Sequence, residues 1–503
     1  MERRNFLQNL MLSLGAAGVG GCSAPQCKTL SGGRQKSLPN IVFILADDMG
    51  YGDVQAYNPQ SKIPTPNLNL LAQQGICFTD AHSGSAVCTP TRYGLLTGRY
   101  CWRSRLKSGV LFPPNDEPLI DDDRLTVAGM LKKYNYNTAC IGKWHLGIGW
   151  GRDAQGKVDF NKPINHGPTD VGFDEYFGVA ASLDMIPYTF LHNHKLAQPV
   201  TETQPRLNFP KYVRQGPKAK DFDPGKVLDT LTGKAVDYIE RSAPKSEPFF
   251  LYFPLTAPHK PVWPEDRFKN STKQGPYGDF VHQVDWSVGQ VMKALDKMGV
   301  ADDTLVVYSS DNGSYMFRKK ENEPDHVDKP EIQGFKPSNH RPNGRLRGTK
   351  ADIWEAGHRI PFIVRWPGVA QADTRNDSTI CLTDFFATCS EITGYAKPSN
   401  VGEDSFSLLP IIEGSAKDID RPPVIHHSVN GTFALRDGRW KMVFSNGSGG
   451  REKPRGKPFQ KPYTLFDLKN DPTESTDVIA QYPAIAQRLE KKLKAIMDNG
   501  GSK

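Results

Sequence analysis

Short apolar runs alternate with amphipathic ones along most of this chain, and four of the apolar runs end in the same way. Ile41–Ala46 is continuously β-branched and apolar, the pattern of a strand buried on both faces, and it stops at Asp47-Asp48-Met49-Gly50. Thr138–Ile141 leads to Gly142-Lys143-Trp144-His145, Phe249–Phe253 to Thr256-Ala257-Pro258-His259, and Leu305–Tyr308 to Asp311-Asn312-Gly313. Helical periodicity lies between them, as in Val127–Lys133 and Val281–Met298. Alternating strands and helices predict an α/β domain with a mainly parallel sheet, whose ligands sit beyond the carboxyl ends of its strands. All four polar clusters should then converge on one edge.

From about Pro398 the texture changes. Val424–His427, Gly431–Leu435, Trp440–Phe444 and Tyr463–Leu468 read as short strands separated by Asn-Gly, Asp-Gly and Gly-Ser-Gly-Gly turns, and an amphipathic helix over Ala484–Met497 follows. The organisation expected is a large domain over 39–397 and a smaller antiparallel subdomain with a terminal helix over 398–503. Two domains also suit a chain of 503 residues.

The first residues read differently. Arg3-Arg4 precede a Gly/Ala-rich apolar run, Phe6 to Gly21, too short for an ordinary membrane span. It ends in Val19-Gly20-Gly21-Cys22, which resembles a bacterial lipobox with Cys22 as the lipidated residue, while Arg3–Leu7 resembles a twin-arginine motif. A plain secretory signal is the alternative. Either way residues 1–22 predict export, with 23–38 as a tether, and a periplasmic or cell-surface lipoprotein of a bacterium.

Hydrophobic residues at 38% and charged residues at 23% exclude a membrane or disordered protein. A net charge of +8 favours anionic partners without choosing among them, and no motif calls for nucleic acid. Of the cysteines after Cys22, none has zinc-site spacing, and six besides Cys88 are available for disulfides in an oxidising compartment.

Cys88-Thr89-Pro90-Thr91-Arg92, continuing to Thr97-Gly98-Arg99, carries the most chemistry. Pro90 suits the first turn of a helix, which places Cys88 at a helix N-terminus where free N–H groups favour an anion. Arg92, one turn on, would point back at the same anion. This segment resembles the signature of the type I sulfatases, in the arylsulfatase A and N-acetylgalactosamine-sulfatase-like bacterial branch. The resemblance continues in order through Asp47-Asp48, Gly142–His145, His259, Asp311-Asn312 and Lys350 before Trp354-Glu355-Ala356-Gly357. Thr91 departs from it, since Ser or Ala is commoner there.

The resemblance implies an alkaline-phosphatase-like large domain that hydrolyses sulfate esters on a sulfated saccharide, galactose or N-acetylgalactosamine sulfate among them. It implies that a maturase converts Cys88 to formylglycine and that Asp47, Asp48, Asp311, Asn312 and residue 88 hold Ca²⁺, ahead of Mg²⁺. Hard oxygen donors suit either ion and not zinc. Arg92, Lys143 and Lys350 would surround the sulfate with positive charge. His259, assisted by Lys350, would protonate the leaving sugar oxygen, and His145 would help the second hydroxyl of the aldehyde hydrate expel sulfate. A phosphatase or phosphodiesterase of the related superfamily would want Ser or Thr at position 88 and further His/Asp ligands. A glycan-binding protein with an unmodified Cys88 is the non-enzymatic alternative. Residues 315–345 form a polar insert in which Arg318, His326, His340, Arg341 and Asn343 are candidates for sugar contacts, and Ala181–Tyr188 would form a pocket wall.

Overall fold

Four adjacent strands carry the convergence expected above. In the computed structural model, which describes residues 38–502, Thr304–Ser310, Asn40–Asp47, Phe249–Pro258 and Asn137–Lys143 lie side by side and all parallel. Ala46 is in register with Ser310 and Asp47 with Pro258, so the polar clusters that follow sit at one edge. The export segment with Cys22, the tether to residue 37 and Cys27 lie outside the described residues.

Among the described residues the sheet has ten strands and is mixed. Phe362–Arg365 runs antiparallel to both neighbours, Thr304–Ser310 and Ile76–His82. A parallel strand would need a crossover back to the opposite edge. Here the chain stays at the carboxyl edge through the short helix Glu355–His358 and turns straight back into the sheet.

Both faces of the sheet are covered, which is why the central strands are apolar at every position. Ile41, Phe43 and Leu45 join one core with Tyr93, Leu131 and Phe385, from helices Cys88–Thr97, Val127–Lys132 and Asp384–Thr393. Val42, Ile44 and Ala46 join the other with Leu71, Leu231 and Val284, from Pro66–Gln73, Val227–Ser242 and Gly275–Lys297. Val424–His427, Phe433–Asp437, Trp440–Val443 and Thr464–Asp467 form a separate antiparallel sheet in chain order. Helix Pro483–Asp498 contributes Leu489, Leu493 and Ile496 to its core.

Cys77, Cys88, Cys101, Cys140, Cys381 and Cys389 are all buried and free, so none of the disulfides left open by the sequence forms among the described residues. No helix among them is long and apolar enough to cross a membrane.

Candidate active site

Cys88 is the first residue of helix Cys88–Thr97, and Val87 before it is extended. The loop that delivers it is clamped by two distant parts of the chain. Ser83 N–H donates to His358 O (2.8 Å), Ala86 N–H to His427 O (3.0 Å), and Ala351 N–H to Ala86 O (2.8 Å). His426 Nδ1 donates to Ser83 O (3.0 Å). The Thr91 hydroxyl reaches the carbonyls of Ser85 and Val87, each at 3.1 Å, which gives this departure from the sulfatase signature a structural job.

Cys88 Sγ lies 3.3 Å from His145 Nδ1. His145 Nε2 donates to Leu111 O (3.0 Å), so its proton is on Nε2 and the Nδ1 lone pair faces residue 88. Burial, reinforced by Lys143, holds His145 well below the usual imidazole range, so it is neutral, with its lone pair free to accept a hydrogen bond from residue 88. Burial also raises the Cys88 thiol, against the pull of Lys143 and Lys350. An unmodified Cys88 is therefore a poor thiolate nucleophile.

Asp47, Asp48 and Asp311 offer oxygens within 4.8 Å of one another, all buried. Lys143 Nζ bonds both oxygens of Asp47 (2.9 and 2.7 Å) and Lys350 Nζ bonds Asp48 (2.6 Å). Arg92 gives Nε and Nη2 to Asp311 Oδ2 (3.1 and 2.8 Å) and Nη1 to Lys143 O (3.1 Å). Burial favours a neutral Asp47, but Lys143, His259 and Arg92 outweigh it and keep the carboxyl well below its usual range. Asp311 goes the other way. Burial and the neighbouring Asp47 push it up to about 7 in spite of Arg92. Lys143, Lys350 and Arg92 thus match the three carboxylates in number, yet burial still leaves Asp311 the one that keeps a proton most readily.

Asn312 Nδ2 donates to Asp48 Oδ1 (2.7 Å), which leaves its own Oδ1 buried with no partner. Turning the amide end for end would set that oxygen among the carboxylates. Three carboxylates and one amide oxygen fit a hard divalent cation. His259 Nδ1 donates to Lys260 O (2.6 Å), and Nε2 stands 3.6 Å from Asp48 Oδ2. Burial lowers its pKa to about 4, although Asp48 pulls the other way.

Backbone strain collects here. Asp48, His145 and Ala351, next to Lys350, have φ of 68°, 60° and 82° without being glycine. Each such residue costs on the order of 1 kcal/mol and persists only where its surroundings demand it. Gly142 (φ 139°) lets the strand pass Pro254 before Lys143, since a Cβ there would meet Pro254 O at 1.9 Å.

The structure therefore brings together every residue assigned from sequence: Cys88, Arg92, Lys143, His145, His259, Lys350, Asp47, Asp48, Asp311 and Asn312. Arg92 differs in its orientation. Its recorded bonds go to Asp311 and the Lys143 carbonyl, so it acts by holding a carboxylate. The insert is corrected more deeply. His326 is buried between Tyr277 N–H and Ile332 O, His340 Nε2 donates to Asp53 (2.8 Å), and Asn343 bridges both backbone groups of Ser314. These three residues are buried and build the loop. In Ala181–Tyr188, Asp184 is buried and paired with Arg214.

Sequence reasoning missed a second buried cluster. His82, His358 and His426 place ring nitrogens within 4.8 Å of one another, beside Lys441 and Glu355. The His358 and His426 rings are stacked at 3.8 Å and 9°, so their in-plane lone pairs do not converge, and the Lys441 ammonium disfavours a cation. The cluster instead braces the Cys88 loop through Ser83. No regular spacing announces it, because its members come from three separated segments.

The sulfatase family model matches residues 39–395, and the model described as N-sulphoglucosamine sulphohydrolase, C-terminal, matches 349–499. The chain is 32% identical to an N-acetylgalactosamine-6-O-sulfatase of Bacteroides thetaiotaomicron, over 98% of this chain and 99% of that one. It is 30% identical to human arylsulfatase A, over 92% and 88%. A solved structure from work on the metabolism of multiple glycosaminoglycans by Bacteroides thetaiotaomicron superposes with a TM-score of 0.80 at 30% identity, covering 92% of this chain and 99% of that one.

Proposed function

The chain belongs to the sulfatase family and is a sulfuric ester hydrolase, and we propose that it removes sulfate from a galactose- or N-acetylgalactosamine-type saccharide, using a formylglycine made from Cys88 and a bound Ca²⁺. The observation that carries this reading is the meeting of Cys88 and the lone pair of His145 (3.3 Å) with a carboxylate triad at one sheet edge. The sugar class is supported by the N-acetylgalactosamine-6-O-sulfatase relative, which aligns over nearly its whole length.

Asp47, Asp48, Asp311 and the Asn312 oxygen would hold the cation. When present, the cation and the aldehyde hydrate would supply sulfate polarisation and a nucleophilic hydroxyl. The remaining work falls to side chains. Lys143 and Lys350 bring positive charge to residue 88, where the sulfate oxygens keep negative charge throughout the reaction. His145 Nδ1 takes a proton from the side chain of residue 88. His259 Nε2 gives a proton to the departing sugar oxygen. Burial keeps His259 neutral in the free site, and the negative charge of a bound sulfate ester would raise its proton affinity. Export through the N-terminal signal and lipidation of Cys22 fit an enzyme that meets its polysaccharide outside the cell.

The test is the mass of the tryptic peptide carrying residue 88, from protein made with a maturase, together with release of sulfate from 6-O-sulfated N-acetylgalactosamine. We expect a loss of about 18 Da relative to cysteine and turnover that a chelator abolishes. An unmodified thiol in active protein would refute the proposed nucleophile.

A further inference from the structure

A cavity of about 900 Å³, lined by none of the catalytic residues, opens between the main sheet and the C-terminal sheet. Its lining carries seven Arg or Lys side chains against three Asp, an excess of four positive charges. Three of the cations are committed. Arg359 and Arg436 serve Asp80, and Arg439 serves Asp467. Arg341, Arg345, Lys417 and Lys469 have no acid partner among the described residues. Arg436, only 8% exposed, also keeps a buried Nη1 with no hydrogen-bond partner.

The cavity borders a second one that reaches the segment just before Lys350. Arg345 lines this second cavity, of about 730 Å³, together with Arg318, Arg347, Arg451 and Thr349. Thr349 directly precedes Lys350, and Arg451 Nη1 donates to Tyr315 O (3.3 Å) behind the site. Arg318 is held below the usual guanidinium range by burial and by its like-charged neighbour Arg341. Asp352, Glu452 and Glu474 also line this second cavity and Arg347 is paired with Glu452, so the uncompensated positive charge lies on the side of the larger cavity, where a polyanion would relieve it.

We propose that the larger cavity is a second binding site, which takes a sulfated stretch of the glycan chain away from the ester being cleaved, with Arg345 at its border with the neighbouring cavity. The side chains offer point charges and forked donors for sulfate, and Tyr51 and Tyr57 add apolar ring faces. This assignment rests on the saccharide reading above for the identity of the polymer.

Two variants test it in the full matured chain: Arg345→Ser, and Lys417→Ser with Lys469→Ser. All three positions are exposed, which leaves the cores untouched. Binding of chondroitin sulfate and of its desulfated form is measured at fixed salt, and 4-nitrophenyl sulfate hydrolysis is followed in parallel. We expect chondroitin sulfate to bind the Lys417/Lys469 variant roughly tenfold more weakly, the scale of a few exposed ion pairs, with Arg345→Ser shifted the same way. Turnover of the small aryl ester should not change. Equal chondroitin sulfate affinity in wild type and both variants would overturn the proposal. Tight binding of the desulfated chain, or of a polyribonucleotide, would overturn the glycan assignment. Because affinity is read without turnover, a protein inert toward sulfate esters would fail the proposed reaction alone, and the affinity ratio would still decide the cavity.

Discussion

Replacing Glu474 by Gln should stabilise this protein at neutral pH, although it removes one half of a buried ion pair. Lys441 is fully buried with Nζ 3.1 Å from Glu355 and 2.7 Å from Glu474, so one ammonium serves two carboxylates. The Glu474 contact is close, but its angle falls outside hydrogen-bond geometry. Glu355 takes the benefit: burial would raise it, and Lys441 holds it well below its usual range. Glu474 is left raised from 4.5 to about 7, by burial and by Glu355. Between those two values the folded protein keeps a proton that the unfolded chain has lost. Stability from this group is therefore full below pH 4.5 and is lost as pH rises through 7. At about 1.4 kcal/mol per pH unit, the loss is about 3 kcal/mol. Glutamine keeps the oxygen that accepts Glu355 N–H (2.6 Å) and leaves Lys441 and Glu355 as a balanced pair. Urea midpoints from pH 5 to 8 supply the check. The variant should match wild type within about 1 kcal/mol at pH 5 and exceed it by about 2–3 kcal/mol at pH 8. A variant less stable than wild type at pH 8, or a difference independent of pH, would refute the reasoning.

Two further outcomes concern the site. His259→Ala should lower kcat on a sugar sulfate by about 10²–10⁴-fold, yet far less on 4-nitrophenyl sulfate, whose leaving group departs without a proton; equal losses on both would remove His259 as the acid. Because the Asp311 carboxyl lies near 7 without a cation, Ca²⁺ binding must displace its proton, and affinity measured by calorimetry should climb about tenfold per pH unit up to pH 7 and then level. An affinity flat from pH 5 to 8 would contradict that protonation state.

The sheet edge was legible because the central strands bury both faces, so Ile41–Ala46 and Leu305–Tyr308 have no polar position until they leave the sheet. The candidate ligand set came from the resemblance to the sulfatases, and the parallel pairing explains why Asp47-Asp48 and Asp311-Asn312 meet at that edge. The antiparallel Phe362–Arg365 strand was not, since an apolar run does not encode its direction. His326, His340 and Asn343 misled because a polar side chain in an insert looks the same whether it meets a sugar or the protein. Their partners, Tyr277, Asp53 and Ser314, lie 29 to 287 residues away.

Taken alone, the amino-acid order determined which chemistry this protein carries: a Cys-x-Pro-x-Arg helix start, three acids and an amide for a hard cation, and the lysines and histidines to move charge and protons. Tertiary structure decided which atoms face one another. It turned the His145 lone pair to residue 88, committed Arg92 to Asp311, and stacked His358 on His426 beneath the Cys88 loop. It also gathered unpaired cations from the insert and from both sides of the sheet seam into one cavity. Residue type is a local property, whereas orientation, desolvation and charge balance depend on segments that meet only after the chain has folded.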